Sequence, residues 1–170
     1  CKLDGWCGDA AMTFPAGQIA PEVQHLIDVT KGALDLAIRL MAQKTFWSQI
    51  AAEMADYVRS QGFFVVEAFV GHGIGREMHE DPQVPNYVSP MWQRNGDFPI
   101  RPGLVIAIEP MVNMGTKKVR VKSDHWTQVT ADGKPSAHFE HTVAMTEWGP
   151  YVLTGPPGDP LDDLFLGSQK

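Results

Sequence analysis

GHGIGREMHEDPQVP, residues 71 to 85, sets His72 among three glycines and places His79 seven positions further on, with Glu80 and Asp81 behind it. This is not the zinc helix H-E-x-x-H, whose histidines share one helical face, and no long apolar helix comes after it as one would after a dinucleotide loop. The run Phe63 to Val70, apolar but for Glu67, leads into it, which predicts a buried strand ending at His72. The glycines then have a chemical reading: small residues let a substrate backbone come close to the imidazole.

Upstream, apolar residues at Val23, Leu26, Ile27, Leu34, Ala37 and Leu40 predict an amphipathic helix over Ala20 to Met41, with Pro21 acceptable in its first turn. A second helix is expected from about Thr45 to Gln61, with Thr45 as cap and Gly62 as stop. Downstream, residues 81 to 103 are rich in Pro, Asn and Gly and read as an ordered loop. Strands are expected at Leu104 to Val112 and Val119 to Lys122. Another, Trp126 to Thr130, is expected to turn through Ala131-Asp-Gly-Lys134 and pair with Ser136 to Met145. Two helices and then mostly antiparallel strands make an α+β chain. Residues 1–154 read as one domain and residues 155–170 as a C-terminal tail.

At 170 residues, 44% apolar and 20% charged, the chain is long enough to bury a core. Twenty Asp and Glu against 14 Lys and Arg give a net charge of -6, which argues against direct nucleic-acid or anionic-membrane binding. The basic stretch Lys117 to Lys122 reads as the solvated face of a strand whose Val119 and Val121 are buried. Two cysteines are too few for a disulfide framework and fit a reducing compartment, so a cytoplasmic protein is expected.

Polar residues interrupt the apolar strands in four places. Asp9 falls within Trp6 to Phe14, His72 ends the run from Phe63, Glu109 lies in Val105-Ile-Ala-Ile-Glu-Pro-Met111, and Glu140 in Ala137-His-Phe-Glu-His-Thr-Val143. A buried carboxylate is costly unless paired or holding a cation. One alone could cap a loop or pair with Arg101 or Arg120; four together ask for a shared positive charge. One imidazole with three carboxylates suits Mn, Fe, Co or Zn, and bridging carboxylates can hold two metals that activate water for hydrolysis. His79 could donate to a substrate carbonyl, or be an ordinary surface histidine.

Gly71-His-Gly-Ile-Gly-Arg76 with His79-Glu80 and Pro82, then Gly103 with Ile108-Glu-Pro-Met111, then Ser136-Ala137 with Phe139-Glu-His-Thr-Val143, taken in that order, resemble type I methionine aminopeptidase. The resemblance runs from about Cys1 to Leu153. Prolidases and aminopeptidase P share the ligands but usually carry an Arg-Ile-Glu-Asp-like run after the last segment, and the interval from His79 to Glu109 is too short for the helical insertion of type II enzymes. The resemblance implies the pita-bread (creatinase/aminopeptidase) fold without its N-terminal half, and removal of N-terminal Met from nascent polypeptides, with ribosome proximity as an implied setting. It implies up to two divalent ions in the complete enzyme. Asp9, His72, Glu109 and Glu140 would be ligands, Asp9 and Glu140 bridging. Glu109 would shuttle the proton of the attacking water, and His79 would contact the substrate carbonyl. Trp126 and Met78 would line the methionine pocket, Met78 standing where an aromatic is usual and Glu77 where a small residue is common. A non-catalytic peptide- or protein-binding module and an X-Pro aminopeptidase or dipeptidase are the rivals.

The Asp4-Gly5 pair signals a two-residue hairpin turn. In that register the residue opposite Asp9 falls one step before Cys1, where the family's remaining metal Asp is expected close by. Residues 1 to 170 alone are therefore expected to hold at most one ion tightly and to show little or no aminopeptidase activity.

Overall fold

The structure is a computed structural model, and it describes residues 1–155. The expected tail beyond residue 155 lies outside them. Strands β1 (Lys2–Leu3) and β2 (Trp6–Cys7) form the Asp-Gly hairpin, with Lys2 opposite Cys7 and Leu3 opposite Trp6. Asp4 and Gly5 have φ of 51° and 82°, the paired positive values that such a turn requires. The ladder runs one step further, Gly8 N–H donating to Cys1 O at 3.0 Å. The single strand expected from Trp6 to Phe14 is instead broken at Gly8-Asp9, after which β3 (Ala10–Ala11) pairs with a different partner.

Helix α1 (Pro21–Met41) starts on proline, where no N–H is needed, and buries Leu26, Ala33, Leu34, Ala37 and Ile38. Helix α2 (Trp47–Ser60) presents Trp47, Ile50, Ala51, Met54 and Val58 to the same core. Its cap is not Thr45: Gln49 Oε1 reaches back to the N–H groups of Thr45 and Phe46 at 3.0 and 3.1 Å. Gly62, at φ 82°, ends it in a Schellman turn in which Gly62 N–H donates to Arg59 O and Phe63 N–H to Val58 O.

Strand β4 (Phe64–Val65) belongs to a three-stranded sheet, whereas β5 (Gly71–Gly73) belongs to a six-stranded one. The apolar run Phe63 to Val70 is thus not one buried strand; the chain leaves one sheet for the other, and Phe64 stays 43% exposed. Residues 81 to 103 carry regular structure that their composition concealed. Strand β6 (Glu80–Val84) pairs with β5, and helix α3 (Pro90–Asn95) is capped by Ser89 Oγ, which accepts from Trp92 N–H at 3.2 Å. Trp47 anchors this region, its Nε1 donating to Pro85 O at 2.8 Å and its ring stacking on Phe98.

The expected strand Leu104 to Val112 divides at Glu109-Pro110 into β7 (Val105–Ile108) of the large sheet and β8 (Met111–Asn113) of the small one. Pro110 has no N–H to continue a ladder. Strands β9 (Val119–Val121) and β10 (Gln128–Thr130) pair with each other as a ribbon, so residues 131 to 134 do not join β10 to Ser136–Met145 in a hairpin. Val121 is 51% exposed on that ribbon rather than buried. Strand β11 (Ser136–His138) then joins the small sheet, and β12 (Glu140–Thr146) the large one, before β13 (Gly149–Val152) closes the edge. The small sheet has the order β11-β8-β4 and the large one β13-β12-β7-β5-β6, with β3 added on β12. The two sheets therefore exchange strands at Glu109-Pro110 and at Phe139, with α1 packed on β8, β11, β12 and β13. Among the described residues no helix is long and apolar enough to cross a membrane.

Candidate metal centre

The strand exchange gathers the polar interruptions. His72 sits mid-strand on β5, opposite Ala107 of β7, and is 8% exposed. Its Nδ1 lies 2.9 Å from Gly73 O, an acceptor, so Nδ1 carries the proton and Nε2 keeps its lone pair. Around Nε2 lie Asp9 Oδ2 at 4.0 Å and Glu109 Oε1 at 3.8 Å. Asp9, His72 and Glu140 each offer one ligand atom, all within 4.8 Å of one another. Glu140 is buried and its Oε1 has no hydrogen-bond partner.

Two of these residues are held from behind. Thr142 fixes Asp9 on both sides of its backbone, and Asn86 Nδ2, on a fully buried side chain, donates to Glu109 O at 3.0 Å just where β7 ends. Glycines 71 and 73 have a structural rather than a substrate-facing reason. A Cβ on Gly71 would lie 2.2 Å from Ala107 O and one on Gly73 2.1 Å from Asp81 O, so β5 fits between β6 and β7 only without side chains there.

Burial and neighbouring carboxylates oppose ionisation of Glu109 and Glu140. Burial, then Glu140 and Asp9, push the Glu109 carboxyl up to about 8; burial, then Asp9, push Glu140 up to about 7, against a smaller lowering by the amino terminus. An orphaned buried oxygen, an imidazole nitrogen with its lone pair free and carboxyls reluctant to ionise together are what a divalent cation would satisfy, and the donor set of one nitrogen with oxygens fits one. Asp9, His72 and Glu140 are grouped closely enough to hold it; Glu109 lies outside that group, its Oε1 3.8 Å from His72 Nε2.

His79 is exposed, its ring meeting that of His72 edge-on at 4.3 Å between centroids, and both border an open depression of about 430 Å³ with Glu80 and Gln83. Met78 is half-buried beside it. Trp126 stands 84% exposed on the loop between β9 and β10, out in solvent rather than lining an enclosed pocket. Two participants escaped the sequence reading. Asn86 carried no signal. His138 did: it stands two residues from Glu140, and its Nε2 lies 3.6 Å from Glu109 Oε2.

Residues 1–147 match metallopeptidase family M24. The chain belongs to that family. It is similar to methionine aminopeptidase 1 of Bacillus subtilis, 44% identical over 153 residues that make up 90% of this chain and 60% of the relative. The crystal structure of methionine aminopeptidase from Thermotoga maritima superposes with a TM-score of 0.83 at 42% identity, covering 90% of this chain and 60% of that one. An X-Pro aminopeptidase from the same organism, at 21% identity and a TM-score of 0.64, covers 90% of this chain and 37% of its own, and shares the fold alone. The architecture is thus the α+β pita-bread fold, and this M24 chain spans about 60% of the length of the curated relatives it matches. The family and the acid cluster together support use of a divalent metal.

Proposed function

We propose that this chain supplies the metal-binding and proton-transfer groups of a methionine aminopeptidase, acting on the N-terminus of nascent polypeptides. The grouping of Asp9, His72 and Glu140, with Glu109 Oε1 3.8 Å from His72 Nε2, supports the chemistry, and the choice of Met rests on the similarity to named methionine aminopeptidases. Co, Mn, Fe and Zn all suit the donor set, and by the family resemblance Asp9 and Glu140 would be the carboxylates shared if two ions bind.

Asp9, His72 and Glu140, with Glu109 beside them, would hold a divalent ion whose Lewis acidity would polarise the first peptide carbonyl and acidify water near neutral pH. With such an ion bound, Glu109 would take the proton of the attacking water as its oxygen bonds to the carbonyl carbon, and deliver it to the amine as the C–N bond breaks. His79, exposed beside His72, donates to the carbonyl oxygen as negative charge develops on it. His72 presents Nε2 because Gly73 O holds Nδ1–H.

The test supplies Mn(II) or Co(II) to the complete protein with Met-Gly-type and X-Pro peptides, and tracks the released residue by mass spectrometry. Release of Met from the first peptide alone supports this reading. Cleavage of X-Pro peptides instead would reassign the substrate, and no cleavage of either would favour a binding module.

A further inference from the structure

Glu109 has an imidazole on each oxygen. His72 Nε2 faces Oε1 at 3.8 Å and His138 Nε2 faces Oε2 at 3.6 Å. The two rings are not equivalent. Asp9, His72 and Glu140 offer ligand atoms within 4.8 Å of one another, and Asp9 Oδ2 lies 4.0 Å from His72 Nε2, the nitrogen that faces Oε1. His138 Nε2 faces Oε2 instead, buried from solvent and without a hydrogen-bond partner. Such a nitrogen is expected to have a function, since water cannot satisfy it.

The placement of His138 is not loose. Thr13 Oγ1 accepts from His138 N–H and donates to His138 O, both at 2.9 Å, and His138 pairs with Met111 across β11 and β8. Phe139 between it and Glu140 is buried in the core, so the alternation along the chain sends 138 and 140 to the same side. Glu109 is tethered equally firmly by its carbonyl at Asn86. With both backbones held, only the side-chain torsions of Glu109 and His138 remain to be set.

We propose that His138 is a positioning residue for Glu109: its Nε2–H donates to Oε2, fixing that oxygen so that Oε1 points at the site shared by Asp9, His72 and Glu140. This rests on the metal-centre reading of those residues. The present separation closes to a hydrogen bond with a movement of about 0.7 Å, within reach of a carboxylate swing at a fixed backbone. Holding one oxygen also keeps Glu109 from turning its second oxygen to the ion, and leaves the geometry of proton transfer defined. A carboxylate that binds metal is ordinarily tied down by such a neighbour.

Titration calorimetry with Mn(II) and Co(II) on the 170-residue chain tests this, with the visible spectrum of the Co(II) form as second readout. His138→Leu and His138→Ala remove the donor; His138→Gln restores an N–H at similar reach. Leu suits the site, since the ring borders a largely apolar cavity of about 210 Å³ with Val66, Phe69 and Met111. Both donor-less variants are expected to bind about 10–100-fold more weakly with an altered Co(II) spectrum, while His138→Gln stays within about threefold of wild type. Should His138→Leu fail to fold, His138→Ala decides. Unchanged affinity in the donor-less variants would overturn the inference, as would a His138→Gln affinity as poor as theirs, which would mean that the imidazole itself is required. A wild-type chain that takes up neither ion overturns the metal-centre reading first, and this inference with it.

Discussion

Thr142 Oγ1 accepts a hydrogen bond from Asp9 N–H at 2.9 Å and donates one to Asp9 O at 2.8 Å, across 133 positions of sequence. Thr142 is 1% exposed, and it does for Asp9 what a ladder partner would have done had the strand continued. Thr142→Val keeps the shape and removes both bonds, leaving the Asp9 backbone unpaired. It should lower stability by about 1–3 kcal/mol and weaken Mn(II) binding about tenfold, measured by thermal melting and calorimetry. Unaltered metal binding would show that Asp9 does not depend on this clamp.

Gly71→Ala should be more damaging than its size suggests. The added Cβ meets a backbone oxygen of the adjacent strand at 2.2 Å, and neither strand can move without losing the register that places His72. A loss of roughly 3 kcal/mol or failure to fold is expected, read from urea unfolding. A fully stable variant would mean that β5 tolerates displacement from β7.

The pH dependence has a definite sign. Glu109 and Glu140 have ordinary values of 4.5, raised in the fold to about 8 and about 7. A raised carboxyl means that the folded state holds protons which the unfolded state has lost. In the metal-free chain that stability is present below about 4.5 and is lost as pH rises through about 7 to 8. Metal uptake must displace those protons, so Mn(II) affinity should rise over the same window, with proton release measurable by calorimetry in buffers of different ionisation enthalpy. Affinity that is flat with pH would contradict a site made of these two carboxyls.

Glu109→Gln removes one of those ionisations at nearly constant volume. In the metal-free chain it should flatten the loss of stability above neutral pH, and in the complete protein it should abolish Met release. Retained turnover on a Met-Gly peptide would take the proton-transfer role from Glu109.

The chemistry was more legible than the strands that carry it. Asp9, His72, Glu109 and Glu140 each stood out because a charged or polar residue interrupted an apolar run, and local pattern reports that directly. The same runs misled on boundaries: Leu104 to Val112 and Phe63 to Val70 read as continuous because the pattern records burial, not which sheet does the burying. Only the third dimension shows β7 and β8 parting at Pro110, or β10 pairing with β9. Residues 81 to 103 failed differently: Ser89-Pro90 is a helix-start signal, passed over within a stretch rich in turn formers. His138 was within reach of the alternation argument through Glu140. Asn86 was not, since its partner is a backbone carbonyl 23 positions away.

The central claim is that Asp9, His72, Glu109 and Glu140 form one metal site, and anomalous diffraction from Mn(II)- or Co(II)-soaked crystals tests it most directly. The account predicts a strong peak about 2.0–2.2 Å from His72 Nε2 and from oxygens of Asp9, Glu109 and Glu140. No peak there, or a peak that leaves Glu109 and His72 without contact, would contradict it.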